Sequence, residues 1–419
     1  MDQRGDVTDR RDDEAASGTS DSASPLPYRG LRVLDASQGF AGPHCAMLLA
    51  QHGAQVTKLE PPEGDWSRGI GRRYGDQSAL ALAGNRGKRS LAIDIKRPGA
   101  QDVVRRIADQ CDVVIESFRP GVAQRLGLGY DALRATNPGL IYASVSGYGQ
   151  DGPYAQRAGT DMVIQAFSGM MSVNRDIEGR PGRIGFLVVD TLTGLYAFQA
   201  VSSALYARLA GDGGRRLDIS LMQSSAAFLG LKIIQAALEG EQPAALNAPA
   251  GVYRTRDGSI TVTLSKEEHF SALCRAIGRP DLRADPRYAS FETRAAHLGE
   301  LVEAVGTELL RGDTADWLAR IEAAGGLANP VNTLRQWLAD PHVQATGAAP
   351  SVELPGVGSI AVPQIPGIEP PAPSDPRSHW PGIGTEGSAV LRDFGFADEE
   401  IERLRAASIL IERAAEPST

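Results

Sequence analysis

The sequence predicts an α/β protein: a doubly wound parallel sheet, then a second, smaller α+β domain. Three observations carry this expectation. Short apolar runs alternate with helical stretches from Leu31 onward, the pattern of parallel strands joined by crossover helices. Beyond residue 240 that alternation gives way to a hairpin and a cluster of helices. Finally, 419 residues with 42% hydrophobic and 22% charged side chains suit a globular chain of two or three domains, and exclude a disordered, collagenous or disulfide-framework protein.

Leu31–Asp35 reads as the first strand, Gly42–His52 as a helix and Gln55–Glu60 as the second strand. Further strands are expected at Ser90–Ile95, Val113–Glu116 and Leu140–Ser146, with helices near 99–110, 120–127 and 130–136. In such a sheet the ligand crevice lies beyond the carboxyl ends of the strands, so functional residues belong in the loops that follow them. Arg183–Val189 is another apolar run, read as a strand that hands over to a helix near 191–209; a strand at Arg216–Leu221 and one long helix over 224–239 come next. The Asp257-Gly258 turn joins Val252–Thr255 to Ser259–Leu264 as a hairpin, and helices follow at 266–277, 295–311 and 314–324. A Pro/Gly-rich return segment over 349–384 leads to a C-terminal helix near 397–406. The expected boundaries are a disordered tail 1–27, a large domain 28–224, a small domain 225–345, and a segment 346–419 that completes the large domain.

The net charge of -8 offers no general attraction to nucleic acid or to anionic membrane. About half of it sits in residues 1–27, which carry seven acids against three arginines. Only five cations are lysines: Lys58, Lys88, Lys96, Lys232 and Lys266. Cys45, Cys111 and Cys274 are odd in number, widely spaced and far from zinc-like histidine pairs, which predicts reduced thiols and no metal site. No run reaches membrane-spanning length and no basic, apolar leader opens the chain, so the expectation is a cytoplasmic protein.

Several places invite chemistry. Gly147–Gly152 spells G-x-G-x-x-G after a strand, but Pro153 and a polar stretch stand where a dinucleotide fingerprint needs a helix; the reading is a mobile or ligand-facing glycine loop. Lys88, Arg89 and Lys96 bracket one strand, where either a phosphate seat or a solvated turn fits. Asp190, at the apolar junction before 191–209, suits a helix N-cap and equally a nucleophilic carboxylate beside helix N–H groups. Asp161 opens another apolar helix and invites the same two readings. No histidine lies between His52 and His269, so these acids have no imidazole base nearby in sequence, and a Ser-His-Asp or Cys-His mechanism is disfavoured.

Together these segments resemble the family III CoA-transferases, which include formyl-CoA and carnitine CoA-transferases and the α-methylacyl-CoA racemases. The matching stretches are Leu31–Asp35 with Ala41-Gly42-Pro43, Gly53-Ala54, Lys58-Leu59-Glu60, Asn85–Ser90 and Asp94-Ile95-Lys96. They continue through Phe118-Arg119-Pro120-Gly121, Arg125-Leu126-Gly127, Ser146–Pro153, Gly159–Asp161 and Asp190 with Gly194. The resemblance implies a large Rossmann-like domain built from both chain ends, a smaller inserted domain, and a homodimer of interlocked subunits. It implies that Phe40, Ala41, Ile93, Lys96, Ser117, Phe118 and Arg125 line CoA, with Lys96 and Arg125 at phosphates, and that CoA enters as part of the substrate with no further cofactor.

By the same resemblance Asp190 is the nucleophile that carries CoA as an aspartyl thioester between an acyl-CoA and an acceptor carboxylic acid, with backbone N–H groups near it as oxyanion donors. The racemase branch has Gly-His-Asp where this chain has Gly159-Thr160-Asp161, which counts against α-proton exchange and leaves Asp161 as a second catalytic candidate. An acyl-CoA racemase and a catalytically silent CoA-binding homologue are the alternatives. The chain departs from the family pattern in Glu60-Pro61-Pro62, which lacks a basic residue on the adenine side, in Ala244–Gly251, which lacks a glycine run, and in Gly382–Gly387, which lacks a histidine.

Overall fold

A computed structural model describes residues 26–175, 179–240 and 243–413; the expected disordered tail, but for its last two residues, lies outside them. The first half of the chain lays down β1 (Arg32–Ala36), α1 (Ala41–Gln51), β2 (Gln55–Glu60), α2 (Ala79–Asn85), β3 (Arg89–Ile93), α3 (Ala100–Ala108), β4 (Val113–Glu116) and β5 (Ile141–Ser146). Then come α4 (Asp161–Phe167), α5 (Val188–Leu209), β6 (Arg215–Ser220), α6 (Leu221–Phe228) and α7 (Gly230–Glu239). A three-stranded antiparallel sheet follows, from β7 (Gly251–Arg254), β8 (Ser259–Thr263) and β9 (Leu327–Pro330). Around it pack α8 (Glu267–Ala276), α9 (Leu298–Leu309) and α10 (Thr314–Ala323). After α11 (Asp398–Ala406) the chain ends its described path in β10 (Leu410–Ile411).

The large sheet runs β10-β3-β2-β1-β4-β5-β6. All neighbours are parallel except β10, which pairs antiparallel with β3. The order reverses direction between β1 and β4, so a crevice opens there at the strands' carboxyl ends. Successive strand residues face opposite sides: Val33 joins Cys45, Leu49, Ile141 and Val201 in one core, and Leu34 joins Leu91, Ile107, Val390 and Leu410 in the other. The C-terminal segment therefore seals the second face of a sheet begun at residue 32. Residues 251–330 keep a separate core around Ile260, Phe270, Leu301 and Trp317.

Three sequence expectations change. Residues 183–187 form no strand, and the helix begins at Val188, because Phe186 and Leu187 face outward and make no sheet contact. The long helix expected over 224–239 is two helices bent by 65°, broken at Leu229 before Gly230, a poor helix former. The helix expected over 295–311 likewise breaks at His297. Among the described residues no single helix is long and apolar enough to cross a membrane, and Cys45, Cys111 and Cys274 are free and buried.

Candidate active site

The loop between β1 and α1 is fixed from below by buried charge. Lys88 Nζ donates to Asp35 Oδ2 at 2.7 Å, to the Pro43 carbonyl at 2.8 Å and to Asn85 Oδ1 at 3.0 Å. Lys58 pairs with Asp65 at 2.8 Å and donates to the Ser37 carbonyl. Burial alone would raise the Asp35 carboxyl, but Lys58 and Lys88 hold it below the usual carboxylate range. Above this network Gln38 N–H donates to Ser117 Oγ at 2.9 Å and Gly39 N–H to Asp65 Oδ1 at 3.0 Å. Gly39 has φ +85, and a Cβ there would lie 2.4 Å from the Trp66 ring. Lys88 is thus a structural ion-pair partner, 1% exposed, and neither a phosphate seat nor part of a solvated turn.

A cleft of about 210 Å³ opens over the ends of β1, β2 and β3, lined by Gln38, Glu60, Ile93, Lys96 and Phe118 among others. Ile93 is buried in its wall and Lys96 is exposed at its rim. The residue after β4, Ser117, ties this rim to the β1 loop, and Phe118 N–H is held by Glu116 Oε2 at 2.8 Å. Arg125 ends a short helix, Val122–Arg125, on the same loop; it is exposed and outside the cleft lining. Phe40 and Ala41 stand where α1 begins. The N–H groups of Ala41 and Gly42 there meet no acceptor among the described residues.

Helix α1 packs along α5, which carries Asp190 in its first turn. Asp190 is not the cap of its helix. Asp161, 29 residues earlier, takes that part: its Oδ2 accepts Val189 N–H at 2.7 Å and Asp190 N–H at 3.1 Å. Its Oδ1 accepts Gln165 Nε2 at 2.6 Å, and Gln165 Oε1 accepts Ile184 N–H at 2.9 Å. Val188 and Thr191 N–H are also committed, to the Phe186 and Leu187 carbonyls. The expected oxyanion donors beside Asp190 are therefore occupied, since a buried N–H rarely goes unpaired. The Asp190 carboxylate itself accepts no hydrogen bond among the described residues. Burial, with the Asp161 charge adding to it, pushes its carboxyl up to about 7.

One neighbour of Asp190 was not anticipated. His44, on the first turn of α1, stacks on Phe40 with centroids 5.2 Å apart and planes 10° apart, and it packs against Gly194, one turn past Asp190. A Cβ on Gly194 would lie 2.7 Å from His44 Nδ1 and 2.9 Å from the Ala41 carbonyl, so only glycine allows this approach. Burial pushes the ring down to about 4, a hydrogen bond with the Thr191 backbone opposing and the Lys88 charge adding to the effect. His44 is therefore neutral at pH 7. Its signal lay in the motif itself, two residues after Gly42 at a helix start facing the crevice. The glycine loop is anchored, with Gly149 N–H on Ser146 Oγ at 3.0 Å and Gln150 N–H on Asp218 Oδ2 at 3.0 Å.

An unpaired carboxyl with a raised pKa stands on the helix packed against α1, and the loop leading into α1 lines a cleft at the switch point through Gln38, a layout that suits covalent chemistry on an extended ligand. The sequence profile of CoA-transferase family III matches residues 28–386. The chain belongs to CoA-transferase family III. This CoA-transferase is 34% identical over 396 residues to the succinate–glutarate CoA-transferase of Agrobacterium fabrum, spanning 90% of this chain and 97% of that one. It is 33% identical over 378 residues to the acetyl-CoA:oxalate CoA-transferase of Acetobacter aceti, spanning 88% and 96%. Among solved structures, the CoA-transferase superposes on a CAIB/BAIF family protein from Brucella suis with a TM-score of 0.76 at 30% identity, spanning 88% of this chain and 100% of that one.

Proposed function

We propose that the enzyme moves CoA from an acyl-CoA to a free carboxylic acid through a thioester on Asp190. One observation carries this reading: Asp190 stands without a hydrogen-bond partner, while the N–H groups of its own helix start are occupied by Asp161. A carboxyl near 7 is about half ionised at neutral pH, and its carboxylate is poorly solvated and so reactive. CoA would lie with its nucleotide in the cleft at Ile93, Lys96, Ser117 and Phe118. Its pantetheine would pass Phe40 and Ala41 towards Asp190. Arg125, exposed on the rim loop, would meet a phosphate only from outside the cleft.

The steps balance without a base or metal. The Asp190 carboxylate attacks the thioester carbonyl and CoA leaves as thiolate, giving a mixed anhydride. The thiolate attacks the aspartyl carbonyl and releases the donor acid as its carboxylate. The acceptor carboxylate then attacks the aspartyl-CoA thioester and expels the thiolate. This thiolate takes the acceptor acyl group and returns Asp190 as a free carboxylate. Oxyanions in these steps would be held by the unbonded N–H groups of Ala41 and Gly42, whose α1 terminus also contributes its positive dipole end. Asp161 is a positioning residue in this scheme, its carboxylate already accepting three hydrogen bonds, so it does not supply the second base that the racemase reading needs.

The proposal extends to the assembly. Residues 225–345 form an inserted domain, and the enzyme works as an interlocked homodimer in the cytoplasm. Phe167, Phe186, Leu187 and Leu195 near the site and Leu231, Ile234 and Leu238 on α7 leave apolar area exposed on one subunit, as an obligate interface would.

The test is intact-protein mass spectrometry after mixing with acyl-CoAs, beside Asp190→Ala and Asp161→Ala. A CoA-sized adduct that hydroxylamine removes and that only Asp190→Ala lacks is the expected result. No adduct from any acyl-CoA, or one that persists in Asp190→Ala, overturns the assignment.

A further inference from the structure

Both intermediates of the proposed transfer are activated acyl groups, and water would destroy either one. Water attacking the aspartyl-CoA carbonyl breaks the carbon–sulfur bond and returns Asp190 as a carboxylate. One of the water's protons passes to the departing thiolate and the other to solvent, and the thioester energy is lost without an acceptor acid. Asp190 must therefore be free of hydrogen bonds and also out of reach of water. The first condition is met by Asp161, which takes the N–H groups of Val189 and Asp190. The second needs a cover, and burial is indeed the first cause of the raised Asp190 carboxyl.

Helices α4 and α1 both pack on α5. On the α4 side Asp161 and Gln165 are already engaged by the N–H groups of Ile184, Val189 and Asp190. On the α1 side the contact is made by the turn 40–44. The Ala41 carbonyl and the His44 ring both lie against Gly194, one turn from Asp190 on the same face of α5, and His44 also reaches the Thr191 backbone. Phe40 is seated on this turn from two sides. It stacks on His44 with centroids 5.2 Å apart and planes 10° apart, and its edge meets α2, where a Cβ on Gly84 would lie 3.6 Å from the ring. The half-buried Phe40 ring is thus fixed at the start of α1, beside the N–H groups of Ala41 and Gly42. It has no atom that hydrogen-bonds strongly to water, and neutral His44 behind it adds no charge that would draw water in.

We propose that Phe40, held in place by His44, covers Asp190 against water, so that the aspartyl-CoA thioester survives until an acceptor carboxylate arrives. This rests on the transferase reading, since without a thioester on Asp190 there is nothing to protect. His44 is a positioning residue: its flat ring sets the plane of Phe40, and it fits only because residue 194 is glycine. A side chain that merely lined the pantetheine path would change how acyl-CoA binds. A cover changes the fate of the adduct once it has formed.

The experiment follows the lifetime of the CoA adduct. The full-length protein is loaded from acetyl-CoA or succinyl-CoA, freed of excess acyl-CoA, and sampled by intact-protein mass spectrometry in heavy-oxygen water without any acceptor acid. Hydrolysis then removes the CoA mass and leaves the heavy oxygen on Asp190. Phe40→Ala should shorten the adduct lifetime by about tenfold or more. His44→Ala should shorten it by about 2- to 12-fold, the shift that loss of one aromatic pair allows. His44→Phe, which keeps the stack, should restore the wild-type lifetime, and Phe40→Leu, which keeps apolar bulk without the stack, should fall between Phe40→Ala and the wild type. Lifetimes within twofold of the wild type in Phe40→Ala and Phe40→Leu overturn the proposal, including when KM for acyl-CoA rises. A His44→Phe adduct as short-lived as that of His44→Ala overturns the positioning role. A wild type that forms no adduct from either acyl-CoA removes the transferase reading and this inference with it, whereas a loaded wild type whose variants hydrolyse no faster overturns the cover alone.

Discussion

Replacing Asp190 by asparagine should make the protein more stable at pH 8 and much less so at pH 5. The carboxyl is raised from 3.8 to about 7, first by burial and then by the Asp161 charge. A raised carboxyl favours the fold while it is protonated, so its contribution is complete below about pH 4 and is lost as pH rises through 7. At roughly 1.4 kcal/mol for each pH unit between the two values, ionised Asp190 costs the folded state about 4 kcal/mol at pH 8. Asparagine keeps the shape and cannot ionise, so it avoids this cost. Linkage puts the remaining cost at pH 5 at less than half, and the stability gap between variant and wild type should widen by about 2–3 kcal/mol from pH 5 to pH 8. Denaturant unfolding of both proteins at pH 5, 6, 7 and 8 measures that widening. A gap that stays flat with pH, or a wild type that gains on the variant as pH rises, refutes the account of Asp190 as a buried, unpaired carboxyl. The residue proposed to carry CoA would then sit in an environment that does nothing to activate it.

Other consequences follow from the same geometry. Asp161→Asn removes the like charge beside Asp190, so the acid limb of adduct formation, followed by quenched-flow mass spectrometry, should move to lower pH. The same variant should melt earlier, losing about 1–3 kcal/mol, because its amide can no longer accept from Val189, Asp190 and Gln165 together. Gly194→Ala places a methyl 2.7 Å from His44 Nδ1 and 2.9 Å from the Ala41 carbonyl; forcing α1 from α5 should cost about 1–3 kcal/mol and slow adduct formation, read in melts and in single-turnover runs. Lys88→Met leaves Asp35 with the more distant Lys58 at 3.7 Å, and breaking this buried pair should cost about 3–5 kcal/mol, visible as a large fall in Tm. Lys96→Ala should raise KM for acyl-CoA, and the effect should shrink as salt is added.

The sheet was legible because its signals are local: Gln55–Glu60 is a run of strand formers between turns, and the Asp257-Gly258 turn announces its hairpin. What escaped the sequence depends on partners far along the chain. Arg183–Val189 looks like a strand by composition, yet its Phe186 and Leu187 face outward, and apolarity alone cannot say whether a surface waits for another subunit. Lys88 read as part of a basic cluster because its neighbours in sequence are basic, while its true partner, Asp35, lies 53 residues away. The place of His44 is hidden for the same reason, since the glycine that admits its ring is on another helix. The two aspartates show most clearly how this works. Asp190 at a helix start invited a choice between cap and nucleophile, as if one carboxylate had to do both. The fold gives the capping to Asp161, which accepts the first-turn N–H groups, and this is what leaves the Asp190 oxygens free. A sequence pattern can mark the helix end where an acid is wanted, but only the fold shows that a second acid already fills the capping role. An Asp190 that capped its own helix would have its carboxylate held below the usual range by those N–H groups. With Asp161 as the cap, burial and like charge act on Asp190 in the opposite direction and raise it to the neutral range, which is what the proposed nucleophile requires.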